Sequence, residues 1–110
     1  MFEDKELGDV KMLHPMIEKD VANLFKALSS TTRIRILFLL KQQMLTVTEI
    51  SESLHVSQSA ISHQLRELKL ARLVKSNRKG RKVIYELDDD HVHQIFEMAV
   101  EHVKEIYNYE

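Results

Sequence analysis

The chain has 110 residues, of which 44% are apolar, and it contains no cysteine, one proline and two glycines, with a formal net charge of −1. This length fits one mainly helical domain, and the lack of cysteine excludes disulfides and thiolate metal sites. The longest apolar run, residues 36–40, is far too short to span a membrane, and no signal peptide is recognisable, so we expect a cytoplasmic protein.

Charge is segregated along the chain. Residues 66–82 include eight Lys or Arg and one acid, Glu67, whereas residues 86–110 include eight acids and one base, Lys104. A basic middle and an acidic end on one small domain indicate a polyanionic partner for the middle.

The first part of the chain predicts an arm followed by two helices. Residues 1–16 show no sustained hydrophobic period and are expected to be a flexible arm, whereas residues 17–110 are expected to form one domain. His14 in the arm is a candidate extra metal ligand, although a solvated side chain explains it more simply. Hydroxyl residues 29–32 separate two apolar helical patterns and offer caps for the second. Arg33 and Arg35, near the start of that second helix, are expected to stay in solvent.

Two short helices follow, with the spacing of a helix-turn-helix. Thr46 and Glu49 have capping-box spacing and open the first of them, and Ser57 can cap the second, over residues 58–69. The outward side of the second helix carries hydrogen-bonding groups that could reach base edges or phosphates in a major groove. These residues are Gln58, Ser59, Ser62, His63 and Arg66. By pattern alone, an ordinary polar helix face explains them almost as well.

A basic β-hairpin is predicted next. Residues 73–76 and 82–87 have strand patterns, and residues 77–80 between them are expected to form a turn in which Gly80 takes a positive φ. Five cations fall within eight residues on this hairpin: Lys75, Arg78, Lys79, Arg81 and Lys82. A helix-turn-helix followed by a basic hairpin indicates a winged helix, a mainly α fold with a small hairpin, whose wing contacts DNA phosphates.

The last predicted helix, residues 88–105, carries four possible metal ligands: Asp89, His91, His102 and Glu105. His91 and His102 share a face but are about 16 Å apart along the axis, so no single zinc ion can bridge them. His102 and Glu105 lie one turn apart, and Asp89 and His91 straddle the helix start. Taken singly, each is better explained as a cap or a packed residue, but together they form two half-sites at opposite ends of one helix.

A two-fold axis would complete both half-sites. In an antiparallel pair of these helices crossing near Glu97, His91 faces the partner's His102 and Asp89 faces the partner's Glu105. Two sites per homodimer result, each with two imidazoles and two carboxylates, a ligand set that suits tetrahedral Zn²⁺.

The segments SQSAISHQLRELKLARLV and RKGRKVIYELDDDH resemble the ArsR/SmtB family of metal-sensing bacterial repressors, and the resemblance covers residues 20–106. One branch of that family senses metal on its last helix through Asp-x-His, ten residues, then His-x-x-Glu or His-x-x-His. The Glu form, matched here by Asp89, His91, His102 and Glu105, resembles the zinc sensors. Other relatives use cysteines where this chain has residues 46–49, so thiolate-based sensing is not expected.

The resemblance implies a homodimer that binds palindromic double-stranded operator DNA without metal and releases it when zinc binds. It also implies that the second histidine of the site, His102, hydrogen-bonds the carbonyl of Arg72 just after the recognition helix and so reports the metal to the DNA face.

Three alternatives remain. A repressor of the same family could respond to Ni²⁺ or Co²⁺, with His14 or His93 joining the site. A zinc hydrolase is disfavoured because there is no HExxH motif and the carboxylates are needed as ligands. A purely structural dimer is disfavoured by the five cations of the wing.

Overall fold

The fold is seen in a computed structural model that describes residues 8–109, and it confirms the predicted class, a winged helix-turn-helix. The elements in chain order are α1 (Pro15–Ala27), α2 (Thr31–Gln42), β1 (Leu45–Thr46), α3 (Val47–Leu54), α4 (Gln58–Leu70), β2 (Val74–Lys79), β3 (Lys82–Leu87) and α5 (Asp90–Tyr107). Within residues 8–109, no helix combines the length and the apolar character needed to cross a membrane.

The helix starts are fixed by local side-chain caps, as the sequence predicts. Ser30 accepts a hydrogen bond from the Arg33 N–H at 3.3 Å, and Ser57 caps α4 in the same way. Thr46 and Glu49 form both halves of a capping box, at 3.2 and 2.8 Å. Because these bonds satisfy N–H groups that the helix leaves free, each start is encoded within four residues.

The first helix begins two residues before the predicted position. Pro15 occupies the first turn, and Nδ1 of His14 accepts a hydrogen bond from the Met16 N–H at 3.1 Å. His14 is therefore the N-cap of α1, and residues 15 and 16 of the predicted arm are helical. Residues 1–7 of that arm lie outside the described residues.

The core joins all five helices to the sheet. Ile36, Ile50 and Leu65 are completely buried, from α2, α3 and α4. The end of α5 nearer β3 contributes Val92 and Phe96, and Phe96 also contacts Phe38 with ring centroids 6.2 Å apart. Truncating any one of the completely buried side chains to Ala is expected to cost about 2–5 kcal/mol.

The sheet corrects the sequence interpretation in two respects. It has three antiparallel strands in the order β1-β3-β2, and β1 was not predicted. The hairpin turn is the two-residue pair Gly80 and Arg81, not residues 77–80, because Asn77 and Arg78 continue the ladder opposite β3. Gly80 has φ +66°, which fits the first position of a type II′ turn.

The single chain is less compact than an average globular domain of its length. Its radius of gyration is 17.8 Å, whereas a compact domain of this size has about 13 Å. Apolar side chains are exposed on both α1 and α5, since Phe25 is 61% exposed and Met98 is 67% exposed. Of the apolar residues of α5, only Val92 and Phe96 are buried.

Candidate metal centre and nucleic-acid interface

Asp89 and His91 form the first half of the candidate metal centre, at the start of α5. Asp89 is the N-cap, and its Oδ1 accepts the Val92 N–H at 3.2 Å. Its other oxygen, Oδ2, lies 3.6 Å from Nδ1 of His91, and both side chains are well exposed. The Val92 N–H lowers the pKa of Asp89 below its ordinary value of 3.8, and His91 adds to this shift. One carboxylate oxygen thus holds the helix while the other is free beside an imidazole.

His102 and Glu105 form the second half, near the end of the same helix, and both are exposed. Among residues 8–109, no three His, Asp or Glu side chains lie close enough to share a metal ion. The structure therefore brings Asp89 and His91 together but does not join them to His102 and Glu105 within one chain. This is the separation that the helical spacing predicts.

An apolar groove of about 1040 Å³ lies between the two half-sites. Its walls come from α1, α2 and α5, and they include Phe25, Leu28, Ile34, Ile95, Met98 and Val103. His102 also lines it, so one metal-ligand candidate stands directly at this uncovered apolar surface. Because apolar side chains of α1, α2 and α5 are left exposed around it, the groove is a candidate interaction face.

The recognition helix of the helix-turn-helix is α4, and its two sides have opposite character. Ile61, Leu65 and Leu68 are completely buried against the rest of the domain. The five predicted DNA-contacting residues, Gln58, Ser59, Ser62, His63 and Arg66, are all exposed. The core thus fixes the helix in the rotation that presents these donors and acceptors to solvent.

The wing presents free positive charge. Lys75, Arg78, Lys79, Arg81 and Lys82 are all exposed. Within the described part of the chain, none of them forms an ion pair. The acid nearest to them on the hairpin, Glu86, accepts a hydrogen bond from Asn77 at 2.8 Å. Lys69 at the end of α4 bonds Ser76 of β2 at 2.8 Å, which ties the wing to the recognition helix.

Arg72 ends the recognition helix in a strained backbone conformation. Its φ is +62°, and the N–H groups of Arg72 and Leu73 bond the carbonyls of Lys69 and Leu68. This is a Schellman motif with arginine where glycine is usual. Between residues 8 and 109, no hydrogen bond joins His102 to Arg72, so the coupling contact implied by the resemblance stays a prediction.

Sequence reasoning missed one polar link to the recognition helix. Arg33 was expected to stay in solvent, but it is half-buried and its Nε donates to Gln64 of α4 at 2.6 Å. The first turn of α2 contains no acid, so a cation there opposes the helix dipole. A cation in this unfavourable position of a helix is a sequence signal that its side chain is bonded to a residue of another element.

Comparison with known proteins agrees with this architecture. The family model described as bacterial regulatory protein, arsR family, matches residues 30–76. The transcriptional repressor SmtB homolog of Synechocystis sp. is 40% identical over 104 residues, covering 90% of this chain and 79% of that protein. The cadmium resistance transcriptional regulatory protein CadC homolog of Staphylococcus aureus is 38% identical over 105 residues, covering 94% and 87%. The homodimeric winged helix-turn-helix DNA-binding domain Mb0332 of Mycobacterium bovis superposes with a TM-score of 0.76 at 26% identity, covering 96% of this chain and 95% of that one.

Proposed function

The chain belongs to the ArsR family of bacterial regulatory proteins, and on this premise we propose that it is a zinc-responsive repressor that binds operator DNA as a metal-free homodimer. As a member of this family it is a DNA-binding transcriptional regulator and not an enzyme. A metal response is supported by the kinship with the SmtB and CadC homologs. The choice of zinc and of its four ligands is our inference from the spacing and donor set of this chain together with the family resemblance, and the release of DNA is what that resemblance implies.

The observation that carries the proposal is the position of two half-sites at the two ends of one uncovered apolar helix face. A second copy covers that face and completes the half-sites in a single step. The register that sets His91 opposite the partner's His102 also sets Ile95 opposite the partner's Met98, because both pairs share a midpoint between Phe96 and Glu97. Apolar contact and metal ligation therefore favour the same antiparallel pairing.

The donor set favours zinc over other common cations. Two imidazole nitrogens and two carboxylate oxygens make a tetrahedral site typical of Zn²⁺, whereas Mg²⁺ and Ca²⁺ prefer oxygen ligands alone. The Asp89 carboxylate is ionised and available as a ligand at neutral pH, as an ordinary aspartate is, and the Val92 N–H lowers its pKa further. Co²⁺ and Ni²⁺ remain the second candidates, since both accept imidazole and carboxylate ligands. His14 and His93 are the residues that could extend the site for them.

DNA recognition would divide between α4 and the wing. The exposed polar side chains of α4 have the sizes and hydrogen-bonding groups needed to read base edges in a major groove. The unpaired cations of the wing would neutralise phosphates and supply affinity that does not depend on sequence. A homodimer presents two such units, so the operator is expected to be palindromic.

Release follows from linkage between the two ligands. Zinc favours the dimer geometry that closes both sites, and if this geometry misaligns the two recognition helices, zinc and operator weaken each other's binding reciprocally. A typical coupling of about 1–3 kcal/mol corresponds to a 5- to 150-fold change in affinity. We propose that a hydrogen bond between His102 and the carbonyl of Arg72 transmits the change, since Arg72 belongs to the Schellman motif that ends α4.

The test is a DNA-binding titration of the metal-free protein. A fragment selected by the protein from a random pool serves as operator, and zinc, cobalt or nickel is added at fixed ionic strength. Zinc should release the operator at lower free metal than cobalt or nickel. If only nickel or cobalt releases the operator, that metal and not zinc is the effector. If no metal changes operator binding, the proposed metal response is refuted.

A further inference from the structure

Arg33 links three helices across the domain. It lies in the first turn of α2, and its Nε donates to Oε1 of Gln64 in α4 at 2.6 Å. Its Nη1 donates to the carbonyl of Ala27, the last residue of α1, at 3.4 Å. A helix end leaves its last carbonyls without intrahelical partners, so a cation at that end is favourable. One guanidinium group thus caps α1 and also holds a side chain of the recognition helix.

We propose that Arg33 is a positioning residue that fixes the recognition helix relative to α1 and so carries movements of the dimer face to the DNA face. This inference rests on the proposed function, because it assumes that a dimer binds DNA. It adds a second connection to the one proposed between His102 and Arg72: Gln64 lies within α4, whereas Arg72 lies just after it.

The position of Gln64 explains why this contact can affect DNA recognition. Gln64 is half-buried on α4, and its neighbours Ser62, His63 and Arg66 are exposed on the side that would face DNA. A charge-assisted hydrogen bond to its side chain restrains the rotation of α4 about its own axis. That rotation decides where the side chains of Ser62 and His63 meet the base edges.

The other end of the link lies at the apolar groove. Ile34, the neighbour of Arg33 in α2, lines the groove together with Phe25 of α1 and Leu28, the C-cap of α1. An ion pair between Lys41 of α2 and Glu97 of α5, at 3.3 Å, joins the same helix to the proposed dimer axis. If two copies pack differently at the groove, α1 and α5 are therefore expected to shift relative to α2. Arg33 would carry this shift to α4, because it bonds both the end of α1 and Gln64 of α4.

Two other roles for Arg33 make different predictions. A direct phosphate contact would contribute equally to binding of operator and of random DNA, and its loss would lower the salt slope. A purely structural role would lower the melting temperature without changing sequence discrimination. A positioning role changes the ratio of operator affinity to random-DNA affinity.

The experiment compares Arg33→Gln with Arg35→Gln, a matched loss of an exposed cation from the same helix turn. Dimer mass, zinc stoichiometry and thermal unfolding are measured first, followed by affinity for operator and random DNA with and without zinc. We expect Arg33→Gln to lower operator affinity about tenfold, the size typical of a lost charge-assisted hydrogen bond, and to leave random-DNA affinity unchanged. The zinc-dependent change in operator affinity should shrink in the same variant, whereas Arg35→Gln should keep it.

Gln64 provides a second pair of variants in case Arg33→Gln is too unstable to measure. Gln64→Glu keeps an acceptor for Arg33 and should retain the ratio of operator to random-DNA affinity, whereas Gln64→Leu should lose it. Equal losses on both DNAs with a lower salt slope, or an unchanged ratio in Gln64→Leu, would overturn the assignment. If zinc has no effect on operator binding by the wild-type protein, the proposed zinc response is refuted. The ratios of operator to random-DNA affinity in the Arg33 and Gln64 variants would still decide the role of Arg33.

Discussion

Oδ2 of Asp89 lies 3.6 Å from Nδ1 of His91 at the start of α5, and neither atom is held by a hydrogen bond to another residue within 8–109. The remaining oxygen of the carboxylate accepts the Val92 N–H and caps the helix. Capping of α5 and the metal ligation proposed for Asp89 would therefore use different oxygens of one side chain, and substitution can separate them.

Asp89→Asn and Asp89→Ala should separate these two functions. Asparagine retains an oxygen that can cap α5 but lacks the negative charge, whereas alanine loses both. We expect both variants to bind zinc more weakly, and only Asp89→Ala to melt at a clearly lower temperature than wild type. Zinc titration and thermal unfolding measure the two effects. Equal melting temperatures for the two variants would show that the cap does not stabilise the fold.

The lowered pKa of Asp89 fixes the pH range in which its charge stabilises the helix. The folded-state pKa lies below the unfolded value of about 3.9, so this contribution is fully present above pH 4 to 5 and is lost as pH falls through the folded pKa. The difference in melting temperature between wild type and Asp89→Ala should be constant from pH 7 to pH 5 and decrease below pH 4. A difference that already vanished at pH 6 would contradict this assignment.

Substitutions in the wing should weaken all DNA binding alike. Arg78→Ala or Arg81→Ala should lower affinity for operator and random DNA by similar factors. Each substitution removes one phosphate contact from each subunit of the homodimer, so the salt slope of dimer binding should fall by about 1.8, or about 0.9 per contact. Lys19→Ala, which removes an exposed cation from α1, is the control and should leave the slope unchanged. Ser62→Ala on α4 should instead reduce discrimination between sequences. Normal DNA binding by both wing variants would mean that the hairpin does not contact phosphates.

His102→Gln tests the proposed contact between the metal centre and the recognition helix. Glutamine can still offer an oxygen to zinc but lacks the second ring nitrogen that would reach the Arg72 carbonyl. We expect weakened zinc binding and, at saturating zinc, no release of operator. Arg72→Gly removes the side chain but keeps the carbonyl and relieves the positive φ, so it should still release operator. Zinc-driven release by His102→Gln would eliminate this route.

The sequence predicts those features that depend on nearby residues. The capping box of Thr46 and Glu49 and the separation of His91 from His102 both follow from spacing along one helix. Features set by distant residues were missed. The strand β1 has only two residues and exists because Leu45 pairs with Tyr85, forty positions away. The contact of Arg33 with Gln64 likewise depends on how α2 packs against α4, which no local pattern encodes.

The position of the hairpin turn was also misplaced, because it depends on residues far from the turn. Asn77 and Gly80 both favour turns, so composition alone places the turn across residues 77–80. The ladder extends instead to Lys79 and Lys82, because β2 and β3 pair in the register that sets Val74 opposite Leu87 in the core. Burial of these two residues therefore decides where the turn falls.

The central claim is that each metal site is shared between two chains. Its most direct measurement is zinc binding by a mixed dimer. One chain carries Asp89→Asn and His91→Ala, the other carries His102→Ala and Glu105→Ala, and different affinity tags allow the heterodimer to be isolated. Shared sites predict one tightly bound zinc per heterodimer and none in either parent homodimer. A heterodimer that binds no zinc, or a parent homodimer that keeps two ions, would contradict the shared site.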